Sequence, residues 1–435
     1  MRKGFPLFLL TFGLIGPLRA GRAEALQPLD EFLARAPSHA FDTREAALLA
    51  QQREAEADVA LGRLLPALSA RGVYTRNQYE IATPTGPASR ALIQPENQLD
   101  AIFALDVPIV DLPNYYRHRA TRALARAASE QSEASQLDVN RAVCRAYYQH
   151  LGAAGLLRSA VQSTDTAQSN LKNVSVRRGA GVATELDLER ARANVERSKQ
   201  DVADAQLLVN LSARSLETLS GVTPTPAVAT DIPGDDLAEE RPLAEWLGRA
   251  SETPQERALR EATAAAAEQN KSANTTLVPT LSGAAQERIT NATGFLGKNS
   301  TYALSLTLGW RLDYVGLKNS DAQSVARELA RVREERAKRG TKDAIFEAHQ
   351  RVTAGIAKSR AARAQAVAAG RASELASDRY SAGAATQLDV TQAQRDAFLA
   401  DAGRVQADAD LMFARASLRL AAGLHPKGSA EGKGR

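Results

Sequence analysis

Gly181-Val182-Ala183-Thr184-Glu185-Leu186-Asp187 returns 202 residues later as Gly383-Ala384-Ala385-Thr386-Gln387-Leu388-Asp389. The same offset relates Arg177 to Arg379, Ser215 to Ser417, Leu216 to Leu418, Gly221 to Gly423 and Pro224 to Pro426. One offset held over such a span marks an internal duplication, and that duplication decides how the rest of the chain is read.

Upstream the offset changes. Leu65-Pro66-Ala67-Leu68-Ser69 is mirrored by Val278-Pro279-Thr280-Leu281-Ser282 at a spacing of 213, so the first copy carries 11 extra residues between Pro66 and about Asp111. The extra segment holds Thr83-Pro84-Thr85-Gly86-Pro87, a turn-rich insertion of the kind tolerated at a loop tip.

Each copy reads helix, strand, strand, helix, turn, helix. The first copy, 26–221, predicts a helix over 42–63, strands over 67–81 and 98–110, and helices over 113–178 and 184–220. The second, 241–424, predicts a helix over 254–275, strands over 279–291 and 301–313, and helices over 316–378 and 385–422. A Pro-, Thr- and Asp-rich linker at 222–240 joins them, and a polar tail follows at 425–435. The fold class is therefore mainly α with a small β part. A helix over 113–178 would run roughly 100 Å at 1.5 Å per residue, far beyond a globular helix, and such lengths belong to coiled coils or helical barrels. Gly152 and Gly155 mark where it would bend or be interrupted.

The strand at 301–313 alternates cleanly. Tyr302, Leu304, Leu306, Leu308, Trp310 and Leu312 share one face; Thr301, Ala303, Ser305, Thr307, Gly309, Arg311 and Asp313 share the other. Tyr302 and Trp310 stand about 26 Å apart along an extended strand, near the spacing of the aromatic girdles that bound a barrel's lipid-facing band. Leu99, Ala101, Phe103, Leu105, Val107 and Ile109 repeat the pattern in 98–110. Four strands cannot close a barrel, and open edges cannot face lipid. Such strands in a membrane therefore need several chains sharing one barrel, and three chains give 12 strands, enough to leave a pore.

The remaining composition narrows the function classes. The chain has 435 residues, is 44% hydrophobic but only 5% aromatic, and its mean hydropathy is −0.31. Small side chains suit closely packed long helices rather than one large core. Residues 1–25 read as a signal peptide: Arg2 and Lys3 precede a short apolar run, and Ala23-Glu24-Ala25 offers a cleavage site, with Ala20 as the alternative. Of the net charge of +5, the leader carries +3, which leaves the remainder near +2 and gives no nucleic-acid signal. The single cysteine, Cys144, excludes an internal disulfide and reads as a buried small hydrophobe. No cysteine near the cleavage site offers a lipid anchor. The histidines show no metal-ligand spacing, no cofactor motif is present, and no nucleophile elbow, phosphate loop or zinc motif points to catalysis.

These residues resemble the TolC-type outer-membrane efflux and secretion channel family over about 40–424. The resemblance rests most on Arg178-Gly179-Ala180-Gly181-Val182-Ala183-Thr184-Glu185-Leu186-Asp187 and on Tyr380-Ser381-Ala382-Gly383-Ala384-Ala385-Thr386-Gln387-Leu388-Asp389-Val390. It implies a homotrimer with a 12-stranded transmembrane β-barrel in outer-membrane lipid and a long-helix α-barrel crossing the periplasm. It also implies a periplasmic adaptor docked at the hairpin tips and an inner-membrane pump behind it, in efflux or type I secretion. Where the family often places Pro-Leu-aromatic and a Gly pair after the second strand, this chain reads Val107-Pro108-Ile109-Val110-Asp111 and Leu308-Gly309-Trp310-Arg311-Leu312-Asp313.

The tip residues carry two readings. Gly181 and Gly383 supply turn conformations closed to other residues, and with Val182, Thr184, Ala384 and Thr386 they sit where the resemblance places adaptor docking. Thr184 with Asp187, and Thr386 with Asp389, have capping-box spacing. The resemblance instead implies that Asp389 forms an acidic ring at the periplasmic constriction, that Tyr380 belongs to the gate network, and that Asp187 is a weaker member. Gln392 stands where the family carries a second acidic residue. A periplasmic scaffold without a pore is the alternative; it has no need of the alternating strands.

Overall fold

The duplication is built into the two longest elements. In the computed structural model, which describes residues 26–86, 89–225 and 237–427, helix α3 spans Leu112–Gly179 and helix α7 spans Tyr314–Ser381, each of 68 residues. Both ends of one map onto both ends of the other at the 202-residue offset. The residues before them match too. Asp111 accepts a hydrogen bond from the Asn114 backbone N–H at 3.0 Å, and Asp313 accepts one from that of Gly316 at 2.7 Å. A carboxylate here occupies an orphan donor of the first turn and opposes the positive end of the helix.

Around these two, the first repeat contributes α1 (Leu29–His39), α2 (Phe41–Gly62), β1 (Ala67–Arg76), β2 (Ile81–Gly86), β3 (Ser89–Gln94), β4 (Asn97–Val110) and α4 (Glu185–Ser220). The second contributes α5 (Leu243–Gly248), α6 (Pro254–Thr275), β5 (Thr280–Thr290), β6 (Ser300–Gly309) and α8 (Gln387–Ala421). The leader at 1–25, the tip residues 87–88, the linker centre at 226–236 and the tail beyond 427 lie outside the described residues. Among the described residues no helix is long and apolar enough to cross a membrane.

Strands β1, β4, β5 and β6 form one antiparallel sheet in that order. Two boundaries differ from the sequence reading. The first strand, expected to reach 81, ends at Arg76, because Asn77 closes the β1–β4 ladder: its backbone N–H donates to the Glu96 carbonyl and its amide to the Pro95 carbonyl, both at 2.8 Å. Beyond that break the insertion, read as turn, is a separate hairpin of β2 and β3. Pro84 is tolerated there beside a register shift. The last strand, expected to reach 313, ends at Gly309, which pairs with Thr280 at the start of β5. No partner backbone remains for Trp310, whose indole N–H donates instead to the Leu277 carbonyl at 3.0 Å.

Helix α3 packs against α2, α4, α6 and α8. It is one continuous helix through Gly152 and Gly155, so the expected interruption does not occur. Both glycines permit close approach of α8: a Cβ on Gly152 would stand 3.2 Å from the Ala409 Cβ, and one on Gly155 only 2.7 Å from Val405 Cγ1. Gly155→Val is expected to lower stability by about 1–3 kcal/mol through overpacking, in spite of any gain in helix propensity. Thermal melting of the detergent-extracted protein checks this, and an unchanged midpoint would show that the helices can separate at no cost.

Midway along α3 the core is densest. Phe32 of α1 meets Tyr147 with ring centroids 5.7 Å apart and planes tilted by 57°, with Val143, Cys144, Leu151 and Leu216 fully buried around them. Burial pushes the Cys144 thiol up to about 12, so it stays protonated and unreactive. By contrast, α7 buries only Ile345, Ala348, Val352, Ile356 and Ser359. The charge run from Arg327 is a solvated face, with Arg331–Glu328, Lys338–Glu334 and Arg339–Glu335 paired at 2.9, 2.7 and 2.6 Å.

Candidate functional site

Two regions of the chain carry surfaces that the fold itself does not use: the faces of the sheet and the tips of the helical hairpins. Register sorts the sheet into two chemistries, because alternate side chains point to opposite faces. On one face Tyr302, Leu304, Leu306 and Leu308 of β6 lie opposite Glu287, Ala285, Gly283 and Leu281 of β5. The same face continues through Phe103, Leu105 and Val107 of β4 to Ala70 and Leu68 of β1. The four β6 residues are 68–82% exposed, an apolar surface that none of the described residues covers. Its charges, Glu287 and Arg76, lie toward the Tyr302 end; Glu287 accepts from the Ser300 hydroxyl at 2.8 Å, and Arg76 pairs with Glu96 at 3.3 Å. The opposite face is polar. It carries Thr301, Ser305 and Thr307 of β6, Gln286 and Arg288 of β5, and Asp100 and Asp106 of β4, with Arg288 paired to Asp100 at 2.7 Å. Trp310, past the strand end, is also exposed.

At the far end of the long helices the two hairpin tips are built alike. Gly181 and Gly383 adopt φ of 75° and 80°, a left-handed conformation that glycine enters without penalty. Each is followed by a complete capping box. The Thr184 backbone N–H and hydroxyl both donate to Asp187 Oδ2, at 3.1 and 2.7 Å, and the Asp187 N–H returns a bond to the threonine oxygen. Thr386 and Asp389 repeat this at 2.8 and 2.8 Å. The bonds from Thr386 hold the Asp389 carboxyl below its ordinary value of 3.8. One oxygen, Oδ2, accepts both of these bonds, and Asp389 is exposed.

The sign of the pH effect follows from that depression. The stabilisation is complete above the ordinary value and is lost as pH falls through the lower folded value. The start of α8 is therefore expected to loosen only under strong acid. Backbone protection factors at 384–391, measured against the intrinsic exchange rate at each pH, would fall there and stay flat from pH 5 to 8; a fall centred near neutrality would refute this account.

The tips are joined at one point. Arg177, in the last turn of α3, lays its guanidinium over the Tyr380 ring at 4.8 Å and donates to the Ser381 carbonyl at 2.9 Å. Tyr380, in the last turn of α7, packs against Val174, Leu188 and Ala191 of the other hairpin. Burial, with the nearby charge of Asp187, raises its phenol above the ordinary range. Higher up, Asp201 of α4 and Arg395 of α8 pair at 2.5 Å, and Ser159 of α3 hydrogen-bonds Asp401 of α8.

The structure thus brings Tyr380 and Asp187 together, places Asp389 on its own cap, and puts Gln392 on an exposed part of α8. Gly181, Val182, Gly383 and Ala384 form the exposed turns, beside the capping threonines Thr184 and Thr386. Sequence reasoning missed the role of Arg177. One signal was available: at the 202-residue offset Tyr380 replaces Arg178, so the second tip carries an aromatic where the first carries a charge. Arg178 turns instead to Glu185 within its own tip. Among the described residues no group of His, Cys, Asp and Glu is placed to hold a metal ion.

A family model described as outer membrane efflux protein matches residues 32–222 and 251–424. No curated protein matches the chain in sequence. Solved structures do match in fold. The CmeC outer membrane channel of Campylobacter jejuni aligns with a TM-score of 0.78 at 16% identity, covering 94% of this chain and 88% of that one. The open state of the Neisseria gonorrhoeae MtrE outer membrane channel gives 0.78 at 17%, covering 92% and 90%. The Vibrio cholerae outer membrane protein VceC gives 0.77 at 17%, covering 91% and 96%.

Proposed function

The chain belongs to the outer membrane efflux protein family, and from that premise we propose that three copies close their sheets into one 12-stranded barrel and their long helices into one duct. As an outer-membrane efflux channel subunit it is a conduit, with the sheet in the bilayer and the helices reaching into the periplasm. The observation that carries the trimer is the sheet itself: four strands, β1 and β6 at its edges, one apolar face exposed. A lone sheet of this kind cannot sit in lipid with unpaired backbone at both edges. Pairing β6 of one copy with β1 of the next removes every edge.

The exposed apolar residues of the helices support the same arrangement. Leu207, Leu208 and Leu211 of α4, and Val325, Val332 and Leu375 of α7, stand open on helices at the two sides of the chain. In a ring of copies these sides face one another.

On this reading the hairpin tips are the periplasmic end. Gly181, Val182, Thr184, Gly383, Ala384 and Thr386 present the surface to a periplasmic adaptor, behind which an inner-membrane pump loads the duct for efflux or type I secretion. Asp389, with Asp187 and Tyr380, narrows that end, and Tyr302 and Trp310 mark the two lipid interfaces.

The test is the oligomeric mass of the detergent-extracted full chain, with its heat-dependent shift on a gel. A species of three chains that resists mild detergent and converts to monomer on boiling is expected. Release from membranes by high salt as a soluble monomer or dimer would sink the reading and favour a periplasmic scaffold.

A further inference from the structure

The polar face of the sheet carries a charge that the chain leaves unbalanced. Register places Arg71 of β1 opposite Ile102, Ile102 opposite Arg288, and Arg288 opposite Thr301, so these four form one row across all four strands. Within that row Arg288 is neutralised by Asp100, to which its Nε and Nη2 donate at 2.9 and 2.7 Å. Arg71 is exposed and has no carboxylate partner among the described residues. The other carboxylate on this face, Asp106, pairs in register with Ala67. That is four residues nearer the helices, or about 13 Å along the strand.

Because the opposite face carries Leu304 and Leu306 toward lipid, Arg71 stands in the lumen of the barrel. Twelve strands about 4.8 Å apart and tilted about 40° give a barrel of roughly 12 Å radius. An arginine stem brings its charge from the wall to within about one Debye length, some 8 Å, of the axis at physiological salt. A solute on the axis therefore feels all three copies.

We propose that Arg71, repeated three times around the axis, forms a cationic belt midway along β1 in the barrel lumen that binds polyvalent anions and favours their passage over that of cations. The chemistry recognised is a small molecule bearing several phosphate or sulfate groups, which a threefold set of cationic side chains can engage at once. The belt deepens the channel reading above and rests on it, since a single chain supplies one arginine. Asp106 sets an opposing belt further in, so the lumen is polarised along its axis rather than uniformly charged.

The experiment uses the full-length protein in planar bilayers, with myo-inositol hexakisphosphate added to each side in turn. Wild-type current is expected to be blocked. Arg71→Gln should raise the half-blocking concentration about tenfold, as three exposed charge pairs are removed, and shift the reversal potential in a salt gradient toward cation selectivity. Arg71→Lys should retain the block, and Asp106→Asn should not weaken it. Trimeric, conducting Arg71→Gln channels with unchanged block and unchanged reversal potential would overturn the belt and leave the channel reading intact. A wild-type protein that forms no trimeric pore would remove the channel reading and the belt with it.

Discussion

Leu306→Arg is expected to abolish assembly in the outer membrane. Leu306 lies midway along the apolar face of β6, opposite Gly283 and 68% exposed in the single chain. An arginine on the lipid face of a barrel costs about 2–4 kcal/mol at the bilayer midplane. Three chains share the barrel, so the penalty reaches about 6–12 kcal/mol per assembly, comparable to the whole stability of a folded domain. Gly283 offers no neighbouring side chain to shelter the charge. The control is Thr307→Arg, one residue on and on the other face. Its side chain enters the lumen, and heat-modifiable trimer should persist. If the two substitutions behave alike, the sheet is not in a bilayer and the face assignment is wrong.

Arg177→Ala is expected to unlock the periplasmic end. The side chain contributes a cation–π contact to Tyr380, worth about 0.5–2 kcal/mol, and a charged hydrogen bond to the Ser381 carbonyl, worth about 1.5–3 kcal/mol. Arg177 is half-buried, so solvent screens part of this. Even about 1.4 kcal/mol changes a closed-to-open ratio tenfold, and all three copies lose it together. Conductance of the purified channel should rise severalfold. Tyr380→Phe keeps the ring under the guanidinium and should open the tip less. Arg178→Ala removes only a pair inside the first tip and should change nothing. Asp389→Ala should raise conductance and move the reversal potential toward anions, since an exposed carboxylate at the tip is lost. Equal currents in Arg177→Ala and wild type would refute the clamp.

The sequence exposed what is local or repeated, and hid what depends on a partner. The 202-residue offset and the strand–helix order were legible because a duplicated chain prints its elements twice; helix α6 falls on the expected 254–275. The capping boxes were legible because Thr184 and Asp187, or Thr386 and Asp389, are three residues apart. The end of β6 was not. Alternation runs on through Trp310 and Leu312, but a strand lasts only as long as the ladder beside it, and β5 begins at Thr280. The β2–β3 hairpin was hidden for a different reason. Its six-residue strands hold Pro84 and weak alternation, so the turn signal masked the pairing on either side. Glycine at 152 and 155 reads the same whether it interrupts a helix or lets a neighbour come close; Val405 and Ala409, some 250 residues away, supply the neighbour. Arg177 and Tyr380 are separated by a full repeat and one residue more, and no local spacing rule reaches that far.

The shared length of α3 and α7 constrains how such a protein can change over generations. Both helices leave the same sheet and both must deliver a tip to the same plane, about 100 Å away at 68 residues each. Lengthening one alone would leave a notched rim, three prongs proud of three others, that neither seals nor seats a ring. Growth or shortening of the duct must therefore occur in both halves of the gene together, and in steps that return each helix face to its neighbour. The two halves have drifted apart in residue type, Arg178 against Tyr380 and Glu185 against Gln387, while their measure has stayed fixed.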